Sequence, residues 1–356
     1  MKNKLLFGFL VLSMLFASAG YAQKADELYK QAIAIMDSAN DFKGAIVLLD
    51  KAIKLEPKNS DYQYEKAYAY YHLEEYKTAA KLLEKIMDAP ASGPVYYQLL
   101  ANAYNKLEEV DKSDKTYEKG LEKYPYAGLL YSGQGINKYN RKEYDAAVTW
   151  FEKGIENAPA FPSNYFYAAS LYAGSSETVW AVMYGELFCN IERTSGRTEK
   201  MSKLLYDTYS KSITFKDSSI AVSFTQNATI SINDLNDFKL PFANSVFEMN
   251  YLLSLVGEKE INLATLNRIR TKFIEMYFSK DQSKNYPNVL FDFHKQLISK
   301  NYFDCYNYWL FYYGNESEAD AWITNNKDRF EQFLKWFSDN PLDLSKDKQF
   351  YRFQYK

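Results

Sequence analysis

The stretch DYQYEKAYAYYHLEEYKTAAKLLEKIMDAP, residues 61–90, decides the fold of this chain. Its small and apolar residues recur at intervals of three and four, the spacing that places side chains on one face of a helix. The polar turn Glu74-Glu75 divides the pattern, and Pro90 ends it because proline cannot continue the helical hydrogen-bond ladder. The stretch therefore predicts two helices, helix A over Asp61–His72 and helix B over Tyr76–Met87.

The same pattern returns every 34 residues between positions 24 and 160. Four columns of equivalent residues define its register: Phe42, Tyr76, Val110 and Tyr144; Ala45, Ala79, Ser113 and Ala147; Leu49, Leu83, Tyr117 and Phe151; Ala52, Ile86, Gly120 and Gly154. Prolines close most units: Pro57, Pro90, Pro125 and Pro159. A period of this length predicts a solenoid whose units stack into a continuous core.

These columns resemble the tetratricopeptide repeat (TPR), a family whose unit is a pair of antiparallel helices. The resemblance implies that the small residue of helix B, such as Ala79, lies where the two helices come closest. A fifth unit begins near Pro162, and its helix B, Val179–Glu192, departs from the column spacing as a terminal, capping repeat does. The run Trp180–Ile191 is similar to a segment of exported TPR proteins of Bacteroidota, most of which have no assigned function.

Beyond about residue 195 the 34-residue period disappears. Ile220, Val222 and Phe224 alternate with polar residues, as do Ile230 and Ile232 after a polar break, which predicts a small β-hairpin. Helical spacing governs most of the remaining sequence. The fold class is therefore predicted as all-α, with a TPR α-solenoid of about five repeats over residues 23–194 and a mostly helical C-terminal domain with a small β-hairpin over 195–356.

The N-terminus predicts export. Lys2 and Lys4 precede an apolar run, Leu5–Ala17, and small residues at Gly20 and Ala22 fit a signal-peptidase site. The run is too short for a permanent membrane span, and no later segment is long and apolar enough for one. Residues 1–22 are therefore expected to be a signal peptide. The mature chain would be periplasmic, associated with the outer membrane, or secreted.

Charge and cysteine content narrow the possible functions. The chain carries 45 acidic and 43 basic residues, and loss of residues 1–22 would remove two lysines and no acids, leaving a net charge of −4. Nucleic-acid binding usually requires a basic face, so no nucleic-acid partner is expected. Cys189 and Cys305 either pair or lie apart as buried thiols, and the second arrangement is favoured because cysteine packs as a small hydrophobe.

The sequence contains no recognisable catalytic or metal-binding motif. Its two histidines are His72 and His294, and H-E-x-x-H, Cys-x-x-Cys and G-x-S-x-G are absent. Gly133-Gln-Gly135 lacks the third glycine and the preceding strand of a dinucleotide site. We therefore expect no cofactor, no metal and no enzymatic activity.

An unusual concentration of aromatic residues lies between Tyr302 and Tyr313. Eight of these twelve residues are aromatic: Tyr302, Phe303, Tyr306, Tyr308, Trp309, Phe311, Tyr312 and Tyr313. They could form a stacking surface for sugars or a peptide. A buried helix is the favoured alternative, because aromatic residues on every face leave no solvated side.

In the TPR family the A helices line the concave, ligand-binding face. The resemblance places nine candidate partner-binding residues there: Tyr64, Tyr68, Tyr71, Gln98, Asn102, Asn105, Lys106, Tyr139 and Phe166. Tyrosine offers apolar area with a polar end, and asparagine bonds an extended backbone, so the set suits a peptide. The alternative is that these tyrosines pack against the C-terminal domain.

The residues thus predict an exported TPR scaffold that binds a protein or peptide. Two other functions stay open. One is glycan binding in a polysaccharide-utilisation system, by analogy with TPR-built sugar binders. The other is an enzyme with an unrecognised site in residues 195–356.

Overall fold

The computed structural model describes residues 2–216, 219–226, 241–280 and 282–355, with side chains from residue 21 onward. It forms two compact units, Met1–Asn137 and Lys138–Lys356. The domain boundary expected at residue 195 stays a prediction.

The first unit consists of consecutive helices joined by short turns. They are α1 (Lys2–Ala39), α2 (Phe42–Leu55), α3 (Ser60–His72), α4 (Tyr76–Ile86), α5 (Pro94–Lys106), α6 (Val110–Lys123) and α7 (Gly128–Asn140), whose last three residues belong to the second unit. The predicted helices A and B of residues 61–90 are α3 and α4, each matched to within one residue. The TPR-like solenoid predicted from the sequence is confirmed.

The four sequence columns have a structural meaning. Each residue of the first column begins a helix, since α2 starts at Phe42, α4 at Tyr76 and α6 at Val110. Every residue of the second and third columns is fully buried: Ala45, Ala79, Ser113, Ala147, Leu49, Leu83, Tyr117 and Phe151. In the fourth column, a Cβ added to Gly120 would lie 2.9 Å from the Cβ of Tyr97. At Gly120 the helices therefore approach too closely for a larger side chain.

A left-handed residue follows the A helix of several repeats. Positive φ angles occur at Asn40 (53°), Glu74 (62°), Glu108 (60°) and Lys142 (63°), positions 34 residues apart. The next backbone N–H closes the turn, as from Glu75 to the carbonyl of Tyr70 and from Glu109 to that of Tyr104, both at 2.9 Å. Glycine usually occupies this place after a helix because it has no Cβ. Here the turn keeps its conformation without glycine.

The second unit contains a larger helical assembly with one small sheet. Its elements are α8 (Tyr144–Asn157), α9 (Pro162–Ala173), α10 (Thr178–Ile191), α11 (Gly196–Ser212), β1 (Ile213–Lys216), β2 (Ser219–Val222), a π-helix (Ala243–Glu248) continuing as α12 (Met249–Ser254), α13 (Leu263–Ser279), α14 (Gln282–Asn285), α15 (Val289–Ser299), α16 (Phe303–Leu310), a 3₁₀ turn (Tyr312–Gly314), α17 (Glu316–Asn325) and α18 (Lys327–Asp339).

The fifth predicted helix pair is present as α9 and α10, but α10 differs from a capping helix. A capping repeat keeps a polar outer face. In α10 every residue from Val179 to Asn190 is buried. Polar side chains within it, Glu186 and Asn190, hydrogen-bond to later elements of the same unit. The helix is therefore the centre of the second unit's core.

The strands differ in part from the predicted hairpin. Ile220 and Val222 lie in β2 as expected. Its antiparallel partner among the described residues is β1, with Ile213 opposite Val222 and Lys216 opposite Ser219. β1 continues directly from α11, and its first residue, Ile213, is buried. The predicted partners, Ile230 and Ile232, lie outside the described residues.

Two further observations concern the whole described chain. Among the described residues, none of the helices is both long and apolar enough to cross a membrane. Cys189 and Cys305 are free, buried thiols. The unpaired arrangement favoured from the sequence is the one observed.

Substitution of Ala79 by leucine tests the register. Ala79 is fully buried in α4, so we expect Ala79→Leu to overpack the unit and lower the free energy of unfolding by about 1–3 kcal/mol. Lys81→Leu, on an exposed position of the same helix, is the control and should change it by less than about 0.5 kcal/mol. Urea denaturation measures both. Equal effects of the two variants would contradict the register.

Candidate functional site

The candidate tyrosines of α3 form a partly buried row. Tyr64 stacks on Tyr96 of α5, with ring centroids 4.6 Å apart. The ring centroid of Tyr68 lies 4.3 Å from that of His72, and the ring centroid of Tyr71 lies 5.2 Å from that of Tyr76. We call Tyr64, Tyr68 and Tyr71 the tyrosine row. Each of the three side chains contacts a neighbouring ring and is partly exposed.

A carboxylate that the sequence did not single out lies within this row. Glu65 is half-buried on α3, between Tyr64 and Tyr68 in sequence. Burial raises the pKa of Glu65 to about 7, with further contributions from the nearby acids Asp37 and Asp61. Its charge therefore changes near neutral pH.

The candidate amides of α5 are bonded to neighbouring helices. Gln98 donates to the carbonyl of Leu129 at 3.3 Å, and Asn102 accepts the hydroxyl hydrogen of Tyr117 at 2.7 Å. Asn105 donates to Asn137 at 3.2 Å. Lys106 lies exposed at the end of α5. These amides therefore help to hold the repeats together.

The bond from Asn105 continues inward through a polar chain. Asn137 donates to the hydroxyl of Ser113 at 3.0 Å, and Ser113 donates to the carbonyl of Ala101 at 2.8 Å. Sequence reasoning missed this series of hydrogen bonds. The signal was Ser113, the one hydroxyl in a column otherwise made of alanine.

The remaining candidates, Tyr139 and Phe166, belong to the second unit. Tyr139 is 47% exposed and contacts Tyr144 with ring centroids 5.6 Å apart. Phe166 is partly buried against Phe188 at 5.2 Å, with the guanidinium of Arg197 5.3 Å from its ring. Phe166 is thus largely engaged in packing.

The second unit contains a buried ionic cluster that the sequence did not reveal. Glu186 of α10 receives two hydrogen bonds from Arg270 of α13, at 2.5 and 3.0 Å. His294 Nε2 lies 2.7 Å from Glu186, and the hydroxyl of Tyr306 donates to it at 2.9 Å. Tyr209 accepts from Arg270 at 3.0 Å. We call these five residues the Glu186 cluster.

The charge state of the cluster follows from its pairing. Burial opposes ionisation of Glu186, but Arg270 and His294 outweigh it and lower its pKa to about 2. Burial lowers the pKa of His294 despite the neighbouring carboxylate, so its imidazole is neutral at pH 7. The arrangement is a satisfied ion pair with hydrogen-bonded neighbours. His294 is therefore a hydrogen-bonded histidine of the core.

The aromatic run of residues 302–313 is mostly buried. Phe303, Tyr306, Tyr308 and Phe311 are inside the second unit, which supports the interpretation as a buried helix. Trp309, Tyr312 and Tyr313 keep partial exposure. Within the described residues, no group of three or more His, Cys, Asp or Glu side chains could hold a metal ion.

The Glu65→Gln variant tests the titration in the tyrosine row. Because the folded-state pKa of Glu65 is raised, the folded protein retains a proton that the unfolded chain releases, and stability falls as pH rises from about 4.5 to about 7. We expect Glu65→Gln to be about 1–2 kcal/mol more stable than the parent at pH 8.5, after solvent screening, and nearly equal at pH 4.5. Urea denaturation at both pH values, with exposed Glu118→Gln as control, decides it. A difference independent of pH would refute this assignment.

The Glu186→Gln variant tests the buried cluster. It leaves the Arg270 charge buried without its carboxylate, so we expect a loss of about 3–5 kcal/mol in unfolding free energy. Glu275→Gln, an exposed position on the same helix as Arg270, is the control and should stay within about 0.5 kcal/mol. Thermal and urea unfolding provide the measurement. A change as small as that of the control would show that the ion pair does not stabilise the core.

Comparison with known proteins agrees with this geometry. Models of the tetratricopeptide repeat match residues 38–103 and 94–125. No curated protein matches the chain at a significant level. The tetratricopeptide fold points to a protein that is not an enzyme.

Several solved structures are similar to part of this chain. MamA is 22% identical, with a TM-score of 0.36 over 44% of this chain and 92% of its own. The pilF protein of Pseudomonas aeruginosa is 18% identical, with a TM-score of 0.43 over 53% of this chain and 84% of its own. YrrB, described as a TPR protein with an unusual peptide-binding site, is 20% identical, with a TM-score of 0.33 over 48% of this chain and 87% of its own.

The matched models cover α2 to α6, and so include three of the four helices whose columns define the 34-residue register. Helix pairing, burial of the columns and sequence match therefore coincide in one part of the chain. By its paired helices and by these matches, the chain is a protein that contains tetratricopeptide repeats over residues 38–125.

Proposed function

We propose that this protein is an exported scaffold that binds a protein or peptide segment through the A-helix face of its repeats, in the periplasm or at the outer membrane. The observation that carries the proposal is the tyrosine row on α3, whose side chains each contact a neighbouring ring and stay partly exposed. Tyrosine is favoured at binding surfaces because it combines apolar area with a hydroxyl. The N-terminal sequence supports export.

The amides beside this row support binding of an extended backbone. Asn102 uses its carbonyl oxygen for Tyr117, and Asn105 uses its amino group for Asn137. Each therefore retains one amide group of the opposite kind, a donor on Asn102 and an acceptor on Asn105. An extended segment presents alternating N–H and C=O groups that suit such a pair.

Glu65 would favour a partner segment that carries a positive charge. A lysine or arginine of the partner beside Glu65 would favour the ionised carboxylate. Binding of such a segment would strengthen as pH rises through about 7, the pKa of Glu65 in the folded protein. A segment without a cation would lack this dependence.

The test is capture of partners from the envelope fraction of the source cell. We expect the double variant Tyr68→Ser with Tyr71→Ser to lose at least about tenfold in affinity for the captured partner, since aromatic anchors carry much of the binding energy of interfaces. Asn102 is unsuitable for the test, because its loss would leave the buried Tyr117 hydroxyl without its partner.

Tyr70→Ser is the matched control, since Tyr70 lies between the two substituted positions on α3 and is not part of the row. It should leave the affinity unchanged. Isothermal titration with the purified partner measures all three proteins, and circular dichroism verifies their folding. Retention of full affinity by the double variant would refute the proposal.

A further inference from the structure

A cavity of about 390 Å³ lies within the second unit, beside the partly exposed aromatic residues. Its walls come from the start of α11, the end of α16, the 3₁₀ turn after it, and helices α17 and α18. The volume falls in the range of small-molecule sites. The proposed peptide-binding function does not use this cavity.

Most of the cavity wall is apolar and aromatic. Its apolar and aromatic lining residues include Trp309, Leu310, Ile323, Phe330 and Leu334. Tyr313 also lines the cavity, and its backbone N–H donates to the hydroxyl of Ser202 at 3.1 Å, which holds the turn against α11. Such a wall accepts a large apolar group.

Arg193 is one of two charged side chains that line the cavity within the described residues. It donates to the carbonyls of Asn190 at 3.1 Å, Phe337, and Asn340 at 3.5 Å, and its guanidinium lies 3.6 Å from the Phe337 ring centroid. Among the described residues, no carboxylate lies within ion-pair distance of it. Burial lowers its pKa, because the cation is partly desolvated without an opposite charge.

Glu199 is the other charged side chain of the wall. It is exposed near the start of α11 and accepts a hydrogen bond from the hydroxyl of Tyr313 at 3.2 Å. A purely anionic ligand would be attracted by Arg193 and repelled by Glu199. A ligand that carries both charges satisfies both residues.

We propose that this cavity binds a free α-amino acid with a large apolar side chain. Its carboxylate pairs with Arg193, its ammonium group with Glu199, and its side chain lies between Trp309 and Leu334. The longest Arg193 contact, from Nη2 to Asn340 at 3.5 Å, is the weakest and leaves that nitrogen available to a carboxylate.

The first experiment compares three ligands with the unmodified full chain by isothermal titration. L-Phenylalanine carries both charges, 3-phenylpropionate lacks the ammonium group, and phenethylamine lacks the carboxylate. We expect L-phenylalanine to bind at least roughly tenfold more tightly than either analogue, because each charge-assisted bond adds about that factor. Equal affinity for all three, or no binding of L-phenylalanine, would overturn the proposal.

The second experiment uses variants. Glu199→Gln should weaken the binding of L-phenylalanine about tenfold and leave the binding of 3-phenylpropionate no weaker. The control is Lys200→Gln, which also removes a charge from α11 but lies outside the cavity wall, so it should change neither affinity. Arg193→Gln should weaken the binding of both L-phenylalanine and 3-phenylpropionate, because both carry a carboxylate. Because Arg193 also bonds to carbonyls near the end of α18, Leu334→Trp provides a second test, filling the cavity with Arg193 intact. Unchanged L-phenylalanine binding in Glu199→Gln or in Leu334→Trp would overturn the site.

Discussion

The close approach of two helices at a small residue is the constraint on which the repeat array depends. Ala79 and Ser113 have no exposed surface, and Gly120 leaves no room for a Cβ against Tyr97. Helices this close interlock and fix their relative rotation. That rotation decides which side chains of the A helices face outward, so the tyrosine row is a consequence of small residues on the opposite helix of each pair.

The second unit is held together by a different principle. Its central helix, α10, is buried on every side and carries Glu186 into the core, where Arg270 neutralises it. Burying two charges costs much of what their attraction returns, so such a pair contributes arrangement more than stability. Bonds from Glu186 reach α13, α15 and α16. A single carboxylate thereby specifies how three later helices lie on α10.

The predictable and unpredictable parts differ in the range of the interactions that form them. Helix boundaries such as Ser60–His72 follow from local periodicity, and the sequence predicted them well. Glu186 and Arg270 are 84 residues apart, and no local pattern links them. Likewise, β2 pairs with the segment that precedes it, because α11 places β1 beside it. The candidate amides were located by register, but their bonds to Tyr117 and Asn137 depend on tertiary packing.

The left-handed residues after the A helices suggest how such arrays are best recognised. Asn40, Glu74, Glu108 and Lys142 share a torsion angle, yet they span three residue types and include no glycine, although this conformation costs an L-residue roughly 1–2 kcal/mol. The torsion-angle period continues to Lys142, beyond residue 125, where the matching family models end. What is inherited from unit to unit at this position is a bend of the main chain. Degenerate repeats in other chains would therefore be detected further by comparing backbone angles than by comparing letters.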